Sequence, residues 1–337
     1  MEQKIETPAG NFYIREYIDS DEEAVRSLWK SAFGRDINPG IWRWKYHRPF
    51  FGRRMLLCVN ERDLPVVMFS CLPYPALYHG RIVNIGHAVD SMSHPGYRGH
   101  MRGRNGLFVL TTKKFFEQFG HKDDLIFIYG FPGERHFRLG SILLNYTRLT
   151  KPLLYFAWPS GYLKRRLRLF KGSVRLIEGQ DWRLDGFARR MAQYYPFAVL
   201  RDSRFMNWRY DLHPLFSYQI FSYGSILGKK MNGYMVVRYE ENVATIVDMV
   251  ISPKNGDMPD FLEKVCGEIK ERGINLVRTW LPKGHFLANA LISSGITPDN
   301  EPFGIIPAAV EKDFDPGLSH KRAMEELFYT MADGDLV

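Results

Sequence analysis

Cysteine is scarce in this sequence, because only Cys58, Cys71 and Cys266 occur among 337 residues, far apart. Such spacing provides neither a disulfide framework nor the clustered thiolates of a metal site. We therefore expect a protein that binds no metal and works in the reducing cytoplasm. Long apolar runs are lacking too, since no stretch of about 18 apolar residues could span a bilayer. The first ten residues also lack an apolar signal region.

Motifs that read nucleic-acid bases are also missing, although the formal net charge is +9. A basic protein often meets phosphates, nucleic acid or anionic lipid. The arginines are spread along the chain, and no zinc-finger spacing is present, so we expect no nucleic-acid partner. The basic segment of residues 164–171 could rest on an anionic membrane or on a partner. A solvated linker helix is the favoured alternative.

The composition favours packed cores, with 45% hydrophobic and 15% aromatic residues. The length predicts about two domains. Apolar runs at residues 55–59, 66–71 and 77–83 predict strands, with a turn at residues 73–75. The aromatic block of residues 41–46 either lines a substrate groove or packs in the core of a short helix, and the second interpretation is favoured.

A glycine-rich basic loop follows a predicted strand that ends at Pro95. The loop precedes a helix that begins near Leu107 and combines four glycines with three arginines, which are Gly96, Gly99, Gly103, Gly106, Arg98, Arg102 and Arg104. Small residues let backbone amides approach a ligand, and a helix N-terminus adds positive potential. The pattern suits a phosphate or pyrophosphate. An ordinary solvated loop is the alternative.

The loop resembles the acetyl-coenzyme A loop of the GCN5-related N-acetyltransferases, whose pattern is R-x-x-G-x-G/A between a strand and a helix. Arg98 and Gly103 fit its first and last positions, whereas Met101 stands where the family prefers glycine. A second register starts at Arg102. The family's next helix ends in Tyr-x-Lys-x-Gly, and residues 136–140 occupy that place, with a histidine at the tyrosine position.

The resemblance implies a site for acetyl-coenzyme A and no metal. Its cofactor-binding residues would be Met92, Ser93, Arg98, Gly99, His100, Met101, Arg102, Gly103, Arg104, Asn105 and Gly106. The family transfers an acetyl group to an amine by direct attack, without a covalent enzyme intermediate. Asp90 stands where the family often has a base, and His136 is the candidate acid or water-mediated base. A purely structural role stays open for both. Further substrate-groove candidates are His87, Tyr129, Glu134 and Arg135.

Three short patterns recur in the same order along the chain. The first is Trp-Lys-Tyr at 44–46 and Trp-Arg-Tyr at 208–210; the others are Val-Asp at 89 and 247, and a proline followed by His-Phe at 136 and 285. We interpret them as two copies of one α/β unit. The second copy lacks the arginine–glycine loop and carries Asp257 and Asp260 instead, which would cap a helix and repel a phosphate.

The predicted fold class is α/β (α+β), with two tandem units of the acetyltransferase type, each a mixed, mostly antiparallel twisted sheet flanked by helices. Residues 1–150 would bind acetyl-coenzyme A, residues 151–190 would form a linker, and residues 191–337 would form a degenerate second domain. The predicted reaction is acetyl transfer to an amine of a small molecule, with a weak preference for an amino sugar. The alternatives are an aminoacyl transferase that uses charged transfer RNA, and a non-catalytic binding module.

Overall fold

The computed structural model describes residues 3–8, 10–47, 51–98, 103–163, 172–179, 181–225, 230–253 and 257–334. The strands in chain order are β1 (Gln3–Thr7), β2 (Gly10–Glu16), β3 (Arg54–Asn60), β4 (Pro65–Tyr78), β5 (Arg81–Ser93), β6 (Ile128–Gly130), β7 (Tyr146–Arg148), β8 (Leu153–Pro159), β9 (Ser173–Ile177), β10 (Phe197–Val199), β11 (Tyr218–Gly224), β12 (Met231–Glu240), β13 (Val243–Ile251), β14 (Leu276–Pro282), β15 (Pro298–Asp299), β16 (Ala308–Val310) and β17 (Leu327–Phe328).

The helices in chain order are α1 (Glu22–Phe33), α2 (Pro39–Trp42), α3 (Leu107–Phe119), α4 (Glu134–Leu143), α5 (Arg183–Met191), α6 (Ser203–Met206), α7 (Asp257–Glu271), α8 (Phe286–Ser293) and α9 (His320–Glu326). A π-helical turn continues α2 over Arg43–His47 and α6 over Asn207–Asp211. Within the described ranges, no helix is long and apolar enough to cross a bilayer.

The chain divides into two compact units, and each is built from separate stretches of sequence. The first unit comprises Met1–Pro75, Asn84–Arg148 and Ile305–Arg322. The second unit comprises Ala76–Val83, Leu149–Gly304 and Ala323–Val337. Each unit has its own sheet flanked by helices, so the predicted mixed, mostly antiparallel architecture is confirmed.

The sheet of the first unit has the strand order β1-β2-β3-β4-β5-β6-β16-β7. Strands β5 and β6 pair in parallel, at Gly86 with Ile128 and at His87 with Tyr129. Phenylalanine side chains of α3 pack on this sheet, and the Phe115 and Phe116 rings lie 4.8 and 5.7 Å from the Phe69 ring on β4. This apolar layer holds α3 against the strands that precede and follow it.

Strand β4 contradicts the turn predicted at residues 73–75. The strand runs unbroken through both prolines to Tyr78, and the turn lies at His79 and Gly80, whose φ angles are +47° and +80°. Residues 76–78 pair antiparallel with β10 in the second unit. This long-range pairing decides the local conformation, because tertiary contacts override the turn preference of isolated prolines.

The sheet of the second unit has the order β15-β8-β14-β13-β12-β11-β9, with β13 and β14 parallel. Strands β8 and β9 lie within residues 151–190, where the sequence predicted a linker. Strand β16 lies within residues 191–337 but pairs with β6 and β7 of the first unit's sheet. The observed division therefore differs from the predicted boundaries, because short strands far apart in sequence complete each sheet.

Candidate active site

Strands β5 and β6 separate in the middle of the first unit's sheet. Their parallel pairing ends at His87 and Tyr129, after which β5 continues to Ser93 while β6 ends at Gly130. Asp90 bends β5 with a left-handed φ of +52°, which is uncommon for a residue other than glycine. Where two strands separate, their facing backbone groups can bond a ligand instead of each other. The paired part of β5 and β6 therefore stops before the loop, and β5 continues alone toward it.

The turn after β5 is held by local hydrogen bonds. His94 Nδ1 accepts from the amide of Gly96 at 3.1 Å and caps a short 3₁₀ turn over Pro95–Tyr97. The exposed Arg98 donates to the hydroxyl and carbonyl of Ser93, at 3.2 and 2.9 Å. Met92 is buried. Gly99, His100, Met101 and Arg102, which the sequence assigned to the cofactor, lie outside the described residues.

Helix α3 begins with an unprotected N-terminus. A 3₁₀ turn over Gly103–Asn105, with Arg104 exposed on it, leads to Gly106 at the N-cap position, with φ −58° and ψ 139°. No side chain of a described residue caps the helix, and its first turn contains no acidic residue. The first amides of a helix lack partners inside it and form its positive end. This end of α3 is suited to bind an anion.

The N-terminus of helix α7 in the second unit, unlike that of α3, is acidic. Its first turn contains the buried carboxyl groups of Asp257 and Asp260. Burial would raise the pKa of Asp260, but hydrogen bonds from Lys264 at 2.8 Å and Tyr223 at 2.7 Å outweigh it and lower that pKa. Burial raises the pKa of Asp257. Acidic side chains thus occupy the end of the helix that a phosphate would need.

Asp90 lies in a buried cluster. Its carboxylate accepts from Lys45 Nζ at 3.0 Å and from the Tyr46 hydroxyl at 2.6 Å, and its side chain is only 6% exposed. Ser70 lies 3.3 Å from the same hydroxyl and donates to the Val89 carbonyl at 2.7 Å. The cluster ties the bend in β5 to the π-helical turn, where the aromatic block packs in the core as favoured from the sequence.

The second unit repeats the tyrosine–aspartate hydrogen bond, with an arginine in place of the lysine. Asp248 on β13 accepts from the Tyr210 hydroxyl at 3.0 Å, from the Tyr234 hydroxyl at 2.9 Å and from Arg201 Nε at 2.9 Å. Tyr210 occupies a π-helical turn after α6, as Tyr46 does after α2. Two of the recurring sequence patterns therefore meet in space in each unit. Lys45 and Tyr46 were missed as partners of Asp90, although the joint recurrence of both patterns was a signal for them.

His136 lies on α4 between two aromatic rings. Its ring stacks on Tyr146, with centroids 5.9 Å apart, and meets the edge of Phe108 at 5.6 Å. Burial lowers the pKa of His136, so the imidazole is neutral at neutral pH. Gly140 makes room for this stack, because a Cβ atom there would lie 2.1 Å from a ring carbon of Tyr146.

His285 is not the counterpart of His136 that the third recurring pattern suggested. It precedes α8 as the N-cap residue, with Nδ1 accepting from the amide of Leu287 at 3.4 Å. His136 instead lies inside the first turn of α4. The two histidines therefore have different positions relative to their helices, and the presence of one is no guide to the role of the other.

The remaining groove candidates fall into two groups. His87 and Tyr129 are buried where β5 and β6 last pair, with rings stacked 5.2 Å apart, and Tyr74 stacks on His87 at 6.1 Å. Glu134 and Arg135 are exposed on the first turn of α4. Within the described part of the chain, no group of three His, Cys, Asp or Glu side chains could hold a metal ion.

No family model matches the sequence, and no curated protein sequence is similar to it. Several solved structures, however, have a fold similar to that of this chain. A protein from Enterococcus faecalis, described as a probable N-acyltransferase, aligns over 88% of this chain and 71% of its own, with a TM-score of 0.67 and 13% identity. A GCN5-related N-acetyltransferase from Anabaena variabilis aligns over 88% of this chain and 72% of its own, with a TM-score of 0.67 and 12% identity.

The N-myristoyltransferase of Saccharomyces cerevisiae with bound myristoyl-CoA aligns over 96% of this chain and 90% of its own, with a TM-score of 0.56 and 10% identity. Together with the separated strands and the uncapped helix, these likenesses define the class. The chain has the fold of the GCN5-related N-acetyltransferases, so the resemblance drawn from the loop residues is confirmed at the level of the fold. At such identities the likeness extends to the fold alone.

Proposed function

We propose that this protein transfers an acetyl group from acetyl-coenzyme A to the amine of a small molecule, and that the first unit carries the site. The single observation on which this rests is the uncapped N-terminus of α3, which follows the strand that separates from β6. Structures of similar fold include N-acetyltransferases and an N-myristoyltransferase with bound acyl-coenzyme A. The second unit, with acidic residues at the start of α7, would bind no cofactor.

The pyrophosphate would meet the first amides of α3, with the exposed Arg98 and Arg104 nearby. Charge-assisted hydrogen bonds from guanidinium groups and helix amides suit a phosphate oxygen. The thioester would lie between β5 and β6, where a backbone amide can polarise its carbonyl. Met92, Ser93 and the rest of the loop assigned from the sequence complete this proposed cofactor site.

In the reaction the amine nitrogen forms a bond to the carbonyl carbon, the carbon–sulfur bond breaks, and the amine loses a proton while coenzyme A leaves as a thiolate. We assign proton transfer to His136, because its neutral imidazole can accept a proton and return it to the thiolate. Asp90 is assigned a positioning role instead, since Lys45 and Tyr46 already bond its carboxylate. His87 and Tyr129 would line the groove below the thioester, and Glu134 and Arg135 its outer side.

A substitution at Gly106 tests the cofactor site with little risk to folding. Its φ and ψ angles suit any residue at an N-cap. Gly106→Asp should hold or raise the melting temperature, because aspartate caps a helix well. The new carboxylate should weaken binding of coenzyme A at least tenfold by calorimetry, since it would repel the pyrophosphate.

Gly106→Asn is the matched control, because it supplies a cap without a charge. We expect a smaller loss of affinity than for aspartate. Equal affinity of coenzyme A for the wild-type protein and Gly106→Asp, or no binding to the wild-type protein at all, would refute the proposed site.

A further inference from the structure

A small polar cavity lies in the second unit, beside the edge strand β9. Its volume is about 10 Å³, and its lining includes three cations and three hydroxyl groups, which belong to Arg175, Arg183, Lys230, Ser173, Ser222 and Ser225. Among the described residues, no carboxylate lines it. A volume near 10 Å³ holds one water-sized group. The cavity would therefore take one oxygen of an anion, with the rest of the ligand outside.

Positive charge is concentrated at this cavity. Arg175 and Lys230 are exposed, and Arg183 donates through Nε to Asp181 at 2.9 Å. A fourth cation lies beside the lining, because the exposed Arg190 donates through Nη2 to the backbone carbonyl of a lining residue at 3.0 Å. Arginine and lysine groups gathered in this way suit a phosphate oxygen.

A tryptophan projects into solvent next to the cavity. Trp182, the residue before α5, is 79% exposed, and no other large apolar side chain in the described ranges is so exposed. Trp182 directly precedes Arg183, and the exposed Arg189 lies on the same side of α5, two helical turns further on. Tryptophan rings favour the boundary between water and the acyl chains of a bilayer, because they are apolar but carry one N–H group.

Carboxylates around Trp182 are fewer than cations. The exposed ones on β9, α5 and the described residues between them are Glu178 and Asp185, and Asp185 accepts from the amide of Ser203 at 2.8 Å. The basic segment of residues 164–171 lies outside the described residues and forms no part of this surface. The surface therefore combines a net positive charge with one exposed apolar ring.

We propose that this surface of the second unit binds an anionic membrane, with a lipid phosphate at the cavity and Trp182 in the interfacial layer. A dissolved phosphate would meet the cations but leave the Trp182 ring in water. An anionic bilayer offers both a layer of phosphates and an apolar phase beneath it. The contact would hold the chain at a membrane surface without any segment that crosses it.

Sedimentation with lipid vesicles tests this proposal without any coenzyme A, so the outcome is independent of the proposed enzyme activity. Vesicles of phosphatidylglycerol and phosphatidylcholine in equal parts should bind the protein about tenfold or more tightly than vesicles of phosphatidylcholine alone. Raising the salt from about 0.1 M to about 1 M should release the protein, because the screening length falls from roughly 10 to 3 Å.

Inorganic phosphate and a single-stranded RNA oligomer are the soluble competitors. Neither should displace the protein from anionic vesicles when its phosphate concentration equals that of the lipid. Displacement by inorganic phosphate would assign the cavity to a dissolved anion, and displacement by the oligomer would assign the surface to nucleic acid. Either result, or equal binding to vesicles of phosphatidylcholine alone, would overturn the proposal.

Three substitutions locate the contact. Trp182→Ala, Arg175→Gln and Lys230→Gln should keep the melting temperature, because all three side chains are exposed, and each should weaken vesicle binding about fivefold. Phe33→Ala in the first unit and Lys283→Gln in the second are the matched controls, since they remove an exposed ring and an exposed cation elsewhere. Wild-type binding by all three surface variants would refute the assignment.

Discussion

Two tyrosines preserve the same contact in the two halves of this chain. Tyr46 and Tyr210 each follow a short helix, occupy a π-helical turn and donate to an aspartate on a neighbouring strand. The cation beside the aspartate differs, since Lys45 comes from the turn itself and Arg201 from another segment. The tyrosine–aspartate bond is therefore the conserved element of the repeat, whereas each unit places its cation separately.

Substitutions by asparagine should separate the roles of Asp90 and His136. Asp90→Asn leaves the buried Lys45 ammonium without its counter-ion and should lower the free energy of unfolding by about 3–5 kcal/mol, measured by urea titration. His136→Asn should instead lower turnover with acetyl-coenzyme A and an amine panel by about 10²-fold or more, with coenzyme A affinity retained.

The double variant Lys45→Met/Asp90→Asn is the control for Asp90, because it removes both charges together. It should recover much of the lost stability. Full stability of Asp90→Asn with complete loss of turnover would contradict the positioning role. Wild-type turnover of His136→Asn would exclude the imidazole from the reaction.

For single residues, the sequence indicated candidate positions better than it indicated the side chains that contact them. Asp90 and His136 were chosen as candidates because they stand at recognisable places in a repeat and in a loop–helix pattern. Their neighbours depend on distant backbone segments, so Lys45, Tyr46 and Tyr146 could not be assigned from spacing alone.

Among the elements, helix α8 begins with a buried histidine at its N-cap, His285. Its Nδ1 must be unprotonated to accept from Leu287, and its Nε2 is buried without a hydrogen-bond partner in the described ranges. Burial lowers the pKa of His285 to about 3, with a smaller contribution from Lys151. The ring is enclosed by Tyr195, Phe286 and Phe328.

Acid should therefore destabilise the second unit through this one cap. The pKa of His285 is lower in the folded than in the unfolded chain, so the unfolded chain binds an extra proton between about pH 6.5 and 3. Stability should fall by up to about 1.4 kcal/mol per pH unit as the pH drops through that window. Urea titrations at several pH values measure this slope.

His285→Asn keeps a capping acceptor but removes the titrating group. The variant should show a slope smaller by nearly one proton. An unchanged slope would mean that other groups carry the acid sensitivity.

Elements with strong local signals were predicted with close bounds. Helix α3 begins at Leu107, where the sequence predicted its start after the glycine-rich loop. The bounds of strands that depend on pairing with distant segments were not predicted. The three residues of β16 have no local pattern that would specify a strand, and β4 overrides its two prolines through pairing with β10. The local sequence pattern determines elements such as α3, whereas long-range hydrogen bonding determines strands such as β4 and β16.

On the scale of the whole molecule, neither unit is a continuous piece of chain. The first unit needs residues 305–322, because β16 supplies the strand between β6 and β7. Val310 and Phe314 from the same segment are buried in the first unit's core. The boundary predicted at residue 150 would therefore cut the unit away from one of its own strands.

A fragment of residues 1–150 should accordingly fold poorly alone, since β6 and β7 would lack the strand between them and part of the core would be exposed. Addition of a peptide of residues 305–322 should increase amide protection by hydrogen exchange in β6 and β7. The same peptide with Ala309→Pro removes a ladder amide and should restore far less protection. Strong protection in the fragment without any peptide would contradict the requirement for β16.

The place of β16 in the chain also has a consequence during synthesis on the ribosome. About 160 residues separate β7 from β16, and elongation proceeds at about 5–20 residues per second, so roughly 10–30 s pass between their emergence. Throughout that interval the first sheet lacks the strand next to its edge, because β7 joins β6 only through β16. The nascent chain is therefore a natural client for chaperones that shield unpaired strand edges, and it completes the first sheet only after β16 has emerged.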